Sequence, residues 1–345
     1  MIVASLLLVC ACAATPTATP TPTNTAVPPS PTRTVPANAT PVASQGAHTL
    51  FIEPDDGRAA ILNAIHGARS SVDMKMYLLG DRAILDELKQ AANRGVRVRV
   101  MLEHDPYGNI PGNQTAYDML LAVGAQTRWT NPAFLLTHEK SIVVDGQTAF
   151  IMTLNMVNSS FSYNREYAII TKQPAEAQEV LRCFNADWDR TQFVPDAGSA
   201  LVWSTNNSRQ RILSLIDGAQ KTLALTQEET QDREILQHLV SAAKRGVNVR
   251  VLAAGPQDPS QRDPNAPGQK QLKDGGVAVR TIITPVMHAK VYLVDETRAL
   301  VGSMNVSTAS LNNNRELGIV VSDPAIIQRI SDTFEKDWLK AKPVK

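Results

Sequence analysis

Beyond residue 46 the chain alternates between two hydrophobic rhythms. Apolar residues three and four apart, as at Ile61, Leu62 and Ile65 and again at Ile84, Leu85 and Leu88, ask for helices; runs such as Val96-x-Val98-x-Val100 ask for strands. The first stretch reads as strand Leu50–Ile52, helix Arg58–Arg69, strand Val72–Leu78, helix Ala83–Arg94 and strand Val96–Leu102. Arg94-Gly95 ends the second helix, because glycine accepts the left-handed turn that follows a helix C-terminus. Further strands are expected over Lys140–Val144, Thr148–Met152 and Tyr167–Thr171, with a helix over Ala175–Arg190.

The same pattern then returns. Ile61-Leu62-Asn63-Ala64-Ile65 is echoed by Ile212-Leu213-Ser214-Leu215-Ile216, and Ala91-Ala92-Asn93-Arg94-Gly95-Val96 by Ala242-Ala243-Lys244-Arg245-Gly246-Val247. Strands Lys290–Val294, Ala299–Gly302 and Leu317–Val321 and helix Ala325–Leu339 repeat the later elements in order. Two copies of one unit account for this. Alternating helices and strands imply an α/β class with mixed, mostly parallel sheets covered on both faces.

The N-terminal region follows other rules. Met1 to Val9 is an apolar run too short to span a bilayer but long enough for the core of an export signal, although no Lys or Arg precedes it. Val9-Cys10-Ala11-Cys12 resembles a bacterial lipobox, which would leave Cys12 as the site of a lipid anchor on the outer face of the cell membrane. Thr, Pro, Ala and Ser dominate the following residues to about 45, a composition that buries too little apolar surface to order itself. The expected organisation is a signal with lipobox over 1–12, a disordered spacer over 13–46, a first repeat over 47–195 and a second over 196–345.

Charge narrows the function only slightly. With 34 Lys and Arg against 33 Asp and Glu the net charge is +1, so nothing marks a dedicated nucleic-acid binder, and nucleic acid is the less favoured partner. Cys10, Cys12 and Cys183 do not make a disulfide framework. A monomer is expected.

Chemistry is concentrated where the repeats agree in polar residues. His138-Glu139-Lys140 with Asp145 and His288-Ala289-Lys290 with Asp295 share the form His-x-Lys-x-x-x-x-Asp, 150 residues apart. Asn155 answers Asn305, and Asn164-Arg165-Glu166 answers Asn314-Arg315-Glu316, in the same register. Extended backbone would turn His138, Lys140 and Ile142 to one face. A neutral imidazole can attack phosphorus while Lys and Asn hold the non-bridging oxygens, and a second imidazole can protonate the leaving oxygen. Glu166 and Glu316 are candidates for the carboxylates that orient the two histidines. Asp145 and Asp295, each at a strand end, read as turn caps.

These motifs resemble those of the phospholipase D superfamily, over about residues 50 to 340. In that family the motif continues, after six residues, to Gly-Gly or Gly-Ser, one residue and Asn. Gly302-Ser303-Met304-Asn305 fits, whereas Met152-Thr153-Leu154-Asn155 keeps only the Asn, and the larger Met152 is expected to narrow the pocket. The resemblance implies two similar repeats packed with pseudo-twofold symmetry, both motifs at the seam, a covalent phosphohistidine and no required metal or cofactor. It implies catalytic roles for His138, Lys140, Asn155, Glu166, His288, Lys290, Asn305 and Glu316. By the same likeness His138 is the nucleophile and His288 the acid/base, an assignment that symmetry makes reversible. Phospholipid head-group hydrolysis or transfer is the leading expectation, with a metal-independent endonuclease or a cardiolipin synthase-like phosphatidyltransferase as alternatives.

Other conspicuous residues read as structural. His48, His66, His104 and His238 have no counterpart in the other copy, and Glu103-His104-Asp105 lacks further ligands for a metal. Trp188 and Trp338 suit packing on the last helix of each repeat. Phe134-Leu135-Leu136 is either an apolar lip or buried strand, Arg94 to Arg99 either a basic track or a sheet edge, and Gln257–Gln269 a mobile loop.

Overall fold

The computed structural model describes residues 42–43, 46–108, 112–256, 260 and 262–344. The expected export signal with Cys12, and the spacer as far as residue 41, lie outside the described residues. Within the span assigned to the spacer, β1 (Val42–Ala43) pairs with the next strand.

The first repeat contains β2 (His48–Glu53), α1 (Ala59–His66), β3 (Ser71–Met76), α2 (Arg82–Asn93), β4 (Arg97–Leu102), α3 (Gln114–Leu121), β5 (Gln126–Trp129), β6 (Ser141–Val144), β7 (Thr148–Met152), α4 (Asn158–Ser162), β8 (Asn164–Thr171) and α5 (Pro174–Asp189). The second contains β9 (Leu201–Ser204), α6 (Ser208–Asp217), β10 (Thr222–Gln227), α7 (Arg233–Lys244), β11 (Asn248–Ala254), α8 (Ala266–Asp274), β12 (Ala278–Ile282), β13 (Val286–Met287), β14 (Lys290–Val294), β15 (Arg298–Gly302), α9 (Thr308–Asn312), β16 (Glu316–Val321), α10 (Pro324–Lys340) and β17 (Lys342–Pro343).

Local chemistry is duplicated along with the elements. The Asp81 carboxylate accepts the Ile84 N–H at 3.2 Å to start α2, and Asp232 does the same for Ile235 at 3.1 Å to start α7. Each helix then buries one stripe, Ile84, Leu85, Leu88 and Ala91 in α2 and Ile235, Leu236, Leu239 and Ala242 in α7. Gly95 and Gly246 leave them at φ of 89° and 94°, which a side chain would oppose.

Strand directions differ from the expectation. The sheets run β1-β2-β8-β7-β6-β3-β4-β5 and β17-β12-β11-β10-β14-β15-β16-β9. Only β3-β4-β5 and β10-β11-β12 are parallel along these paths, and their other neighbours are antiparallel. Connection length explains this. Three residues between β6 and β7, and between β14 and β15, permit only a hairpin, whereas the parallel strands are joined through α2 and α7. The loop expected over Gln257–Gln269 gives way to α8 from Ala266 onward; 257–259 and 261 lie outside the described residues.

The two repeats belong to one compact unit, Asn38–Lys345, and share their largest apolar cluster. Leu50, Ile151 and Ile169 of the first meet Val291, Ile319 and Phe334 of the second in it. Backbone also crosses the seam. β13, just before His288, pairs in parallel with β8, and Thr137, just before His138, bridges Arg315 in parallel. Among the described residues no helix is long and apolar enough to cross a membrane.

Candidate active site

The crossing backbone delivers each histidine to the other repeat. The N–H groups of His138 and Glu139 both donate to the Arg315 carbonyl at 2.9 Å, which sets His138 beside the next residue, Glu316. His138 Nδ1 is 3.0 Å from Glu316 Oε2, and His288 Nδ1 is 2.7 Å from Glu166 Oε1. Thus the two carboxylates picked out in sequence do meet the two imidazoles, but each partners the histidine of the opposite repeat. Both carboxylates are fully buried, while the imidazoles keep 11% and 16% of their side-chain surface open, enough for a ligand to reach them.

Hydroxyls finish the carboxylate shells. Thr153 Oγ1 donates to Glu166 at 2.5 Å and Ser310 Oγ to Glu316 at 2.5 Å. Met152, expected to narrow the pocket, instead points into the hydrophobic core of the first repeat with no exposed surface. Its counterpart Gly302 is needed because a Cβ there would lie 2.4 Å from the Gly318 Cα.

Lys140 and Lys290 each reach back to the carbonyl of their own histidine at 2.6 Å, so ammonium and imidazole stay together although residues 138–140 precede β6 rather than lying in it. Asn155 and Asn305 are buried, and their amide oxygens accept no protein hydrogen bond among the described residues. An amide oxygen left open in this way calls for a hydrogen-bond donor such as an alcohol, whereas a phosphoryl oxygen would take the amide nitrogen.

One residue of the cluster escaped sequence reasoning. Glu228 Oε2 is 2.6 Å from Lys290 Nζ, 3.2 Å from the Asn305 amide nitrogen and 3.7 Å from His288 Nε2. Its counterpart at the end of β3 is Tyr77, whose ring meets His138 edge-on at 4.7 Å and lies 4.9 Å beneath the Lys140 ammonium. Recurrence between the two copies does not reveal this position, because here the copies differ. Glu103, the first residue after β4, accepts the N–H of Thr137 at 2.7 Å and the hydroxyl of Thr130 at 3.0 Å, bracing the approach to His138.

Electrostatics follow from burial and these partners. Burial, reinforced by Lys140, holds the His138 imidazole below its ordinary proton affinity against the pull of Glu316, favouring the neutral ring. Burial brings the Lys140 ammonium down to about 7; Glu316 opposes this and Lys290 reinforces it. For Glu228 burial is outweighed by Lys290 and His288, and the group is held well below the usual carboxylate range. Glu166 and Glu316 are likewise kept ionised, despite burial, by His288 and His138.

Asp145 and Asp295 sit at the far ends of β6 and β14. Asp145 accepts the backbone N–H groups of Arg69, Ser70 and Ser71, and Asp295 those of Gln220, Lys221 and Thr222. They tie a helix-to-strand turn and do not touch the histidines. Arg97 and Arg99 form neither a basic track nor a sheet edge; β4 is an inner strand and both pair with Asp73. Phe134 packs under Arg315 and Leu135 is exposed. Trp188 and Trp338 lie beneath Arg128 and Arg280. His48, His66 and His238 pair with Glu176, Glu87 and Asp217, and the exposed His104 meets Trp129 edge-on.

A second charged cluster supports the seam. Arg165 reaches Asp337 at 2.6 Å and Arg315 reaches Asp187 at 3.0 Å, again across the repeats. Glu139, Cys183 and Asp187 are spaced as metal ligands, but the Lys75 ammonium lies among them, 2.9 Å from Glu139 and 2.6 Å from Asp187. A cation is already supplied by the protein there.

A family model described as cardiolipin synthase, PLD-like domain matches the chain twice, over residues 61–188 and 212–338. Cardiolipin synthase B of Salmonella typhimurium is 24% identical over 336 residues, covering 83% of this chain and 79% of its own length. The 5'-3' exonuclease PLD3 of Xenopus laevis is 32% identical over 170 residues, 44% of this chain and 34% of its own. In fold, the phosphatidylserine synthase of Haemophilus influenzae aligns with a TM-score of 0.66 at 14% identity, over 86% of this chain and 87% of its own.

Proposed function

The chain belongs to the phospholipase D superfamily, and from that premise we propose that it is a phosphatidyltransferase of the cardiolipin synthase kind, moving a phosphatidyl group from one alcohol to another through a phosphohistidine. The observation that carries this reading is the crossed pairing of His138 with Glu316 and His288 with Glu166, which gives two oriented imidazoles in one site. With Nδ1 held by Glu316, His138 has Nε2 free to attack phosphorus. The bond from phosphorus to the leaving oxygen breaks as His288 gives that oxygen a proton. An acceptor alcohol then attacks the phosphohistidine, His288 takes its proton, and cleavage of the phosphorus–nitrogen bond restores His138. Lys140, Lys290, Asn155 and Asn305 hold the non-bridging oxygens throughout. Water as acceptor gives phosphatidic acid instead, the hydrolytic outcome of the same chemistry. A lipid anchor at Cys12, where the apolar leader resembles a lipobox, would hold this site at the outer face of the cell membrane.

Purified protein incubated with phosphatidylglycerol in chelator tests the reading. Release of glycerol with accumulation of diphosphatidylglycerol is expected, and His138→Ala should lower turnover by several orders of magnitude. Phosphatidic acid as the sole product would replace transfer by hydrolysis. The local likeness to the Xenopus exonuclease favours a second reading, a nuclease, which metal-independent breakdown of single-stranded DNA without any phospholipid turnover would establish.

A further inference from the structure

In the first repeat, between α2 and α3, lies a cavity of about 630 Å³ whose aliphatic walls are Leu78, Leu79, Leu85, Ala116, Met119 and Val157, with Arg82, Asp86, Asn113 and Thr115 also in its lining. Its size suits an organic ligand, and its wall is predominantly aliphatic. None of the site side chains lines it, but two of its walls are chain neighbours of site residues. Tyr77, packed on His138, is followed directly by Leu78, and Asn155 is followed two residues later by Val157.

The second repeat provides an internal comparison. Asn113 and Asn265 are equivalent, since each accepts an N–H from the loop after its strand, Leu79 in one case and Thr230 in the other, and donates to the carbonyl of Tyr77 or Glu228. In that register Leu78, Leu79, Met119 and Val157 correspond to Glu229, Thr230, Gln271 and Ser307. Four of the six aliphatic walls are therefore polar in the other half, while Leu85 keeps an apolar counterpart in Leu236. Ala116 corresponds to Gly268, where an added Cβ would fall 1.7 Å from the Thr230 carbonyl oxygen. The second repeat therefore packs helix against backbone at this point, whereas the methyl of Ala116 prevents α3 from approaching Leu79 so closely.

The symmetric site is thus flanked by an aliphatic hollow on the side of His138 and by Glu228, Glu229 and Ser307 on the side of His288. We propose that the hollow receives an acyl chain of the phosphatidyl donor, so that the lipid moiety lies over the first repeat and the alcohol moiety over the second. This rests on the reading that the substrate is a phospholipid. It adds a direction: the half carrying the apolar part is the half whose histidine would hold the phosphatidyl group.

The test uses phosphatidylglycerol bearing a diazirine in one acyl chain, photolysed on the full chain and mapped by mass spectrometry. Adducts should fall on peptides containing Leu85, Met119 or Val157. Met119→Trp, and independently Val157→Phe, should reduce them and lower the preference in kcat/KM for dipalmitoyl over dihexanoyl donor about tenfold, the loss of roughly two buried methylenes. Thermal melting of both variants checks that they fold. Labelling confined to other surfaces, or undiminished in the folded variants, overturns the proposal. Because labelling needs no turnover, a wrong substrate class appears separately, as absent phospholipid product, while product formed without cavity labelling rejects the acyl site alone.

Discussion

His138 and Glu316 belong to opposite repeats and stand 178 residues apart in the chain, yet Nδ1 and Oε2 are separated by 3.0 Å. The carboxylate fixes which imidazole nitrogen is free for phosphorus. Glu316→Gln should therefore lower kcat by up to about 10⁴ while leaving the fold intact, the size of the loss when the orienting carboxylate of a catalytic histidine is replaced by its amide. Combining it with His138→Ala should add little further loss, because the two act as a unit. Additive losses in single-turnover kinetics would show that Glu316 acts elsewhere.

The pH profile should be asymmetric. His138 is held below its ordinary value of 6.5, so its neutral form persists into mild acid and the acid limb of kcat/KM lies below that pH. Lys140, brought down to about 7, loses its charge as pH rises through neutrality, and kcat/KM should fall there. A bound phosphodiester anion favours the ammonium and should carry the alkaline limb of kcat to higher pH. Lys140→Arg keeps the charge and should shift the kcat/KM limb upward; a profile flat to pH 9 in the wild type contradicts this assignment.

Lys75 should matter for stability. Its buried ammonium neutralises Glu139 and Asp187 at 2.9 and 2.6 Å, and these partners keep it protonated despite burial. Lys75→Met leaves Glu139 without that cation and should cost about 3 to 5 kcal/mol, read as a lower urea midpoint at unchanged slope. An unaltered midpoint would mean the cluster reorganises around Arg315.

Glu53 should make stability depend on pH in the unusual direction. Burial raises its carboxyl from 4.5 to about 8, with the Gly57 N–H only partly offsetting this. Between those values the folded protein keeps a proton that the unfolded chain has released. Stability contributed by this group is therefore complete below 4.5 and is lost as pH rises towards 8. Glu53→Gln should gain a few kcal/mol over wild type between pH 5 and 8.5 in denaturant titrations. Equal pH slopes for the two proteins would refute this.

Much of the plan is legible in the residues themselves. The stripes of α2 and α7, their Asp caps and the Arg-Gly exits are encoded within a dozen residues, and the recurrence of His-x-Lys with Asn and Glu at a spacing of 150 points to one duplicated site. Strand direction was harder, because apolar alternation in Ser141–Val144 or Thr148–Met152 is the same whichever way a neighbour runs, and only the three-residue turn between them forces a hairpin.

The repeated unit, its α/β character and the polar residues that both copies share are written in the linear chain, since these depend on local periodicity and on recurrence along it. Tertiary structure decided that Glu316 serves His138 and Glu166 serves His288, that Lys75 fills the gap between Glu139 and Asp187, and that Tyr77 and Glu228 make the halves unlike. A twofold repeat allows each carboxylate to pair within its own copy or across to the other with the same residues. Crossing follows from β13 pairing with β8 and Thr137 with Arg315, contacts between segments too distant in sequence for any local pattern to record.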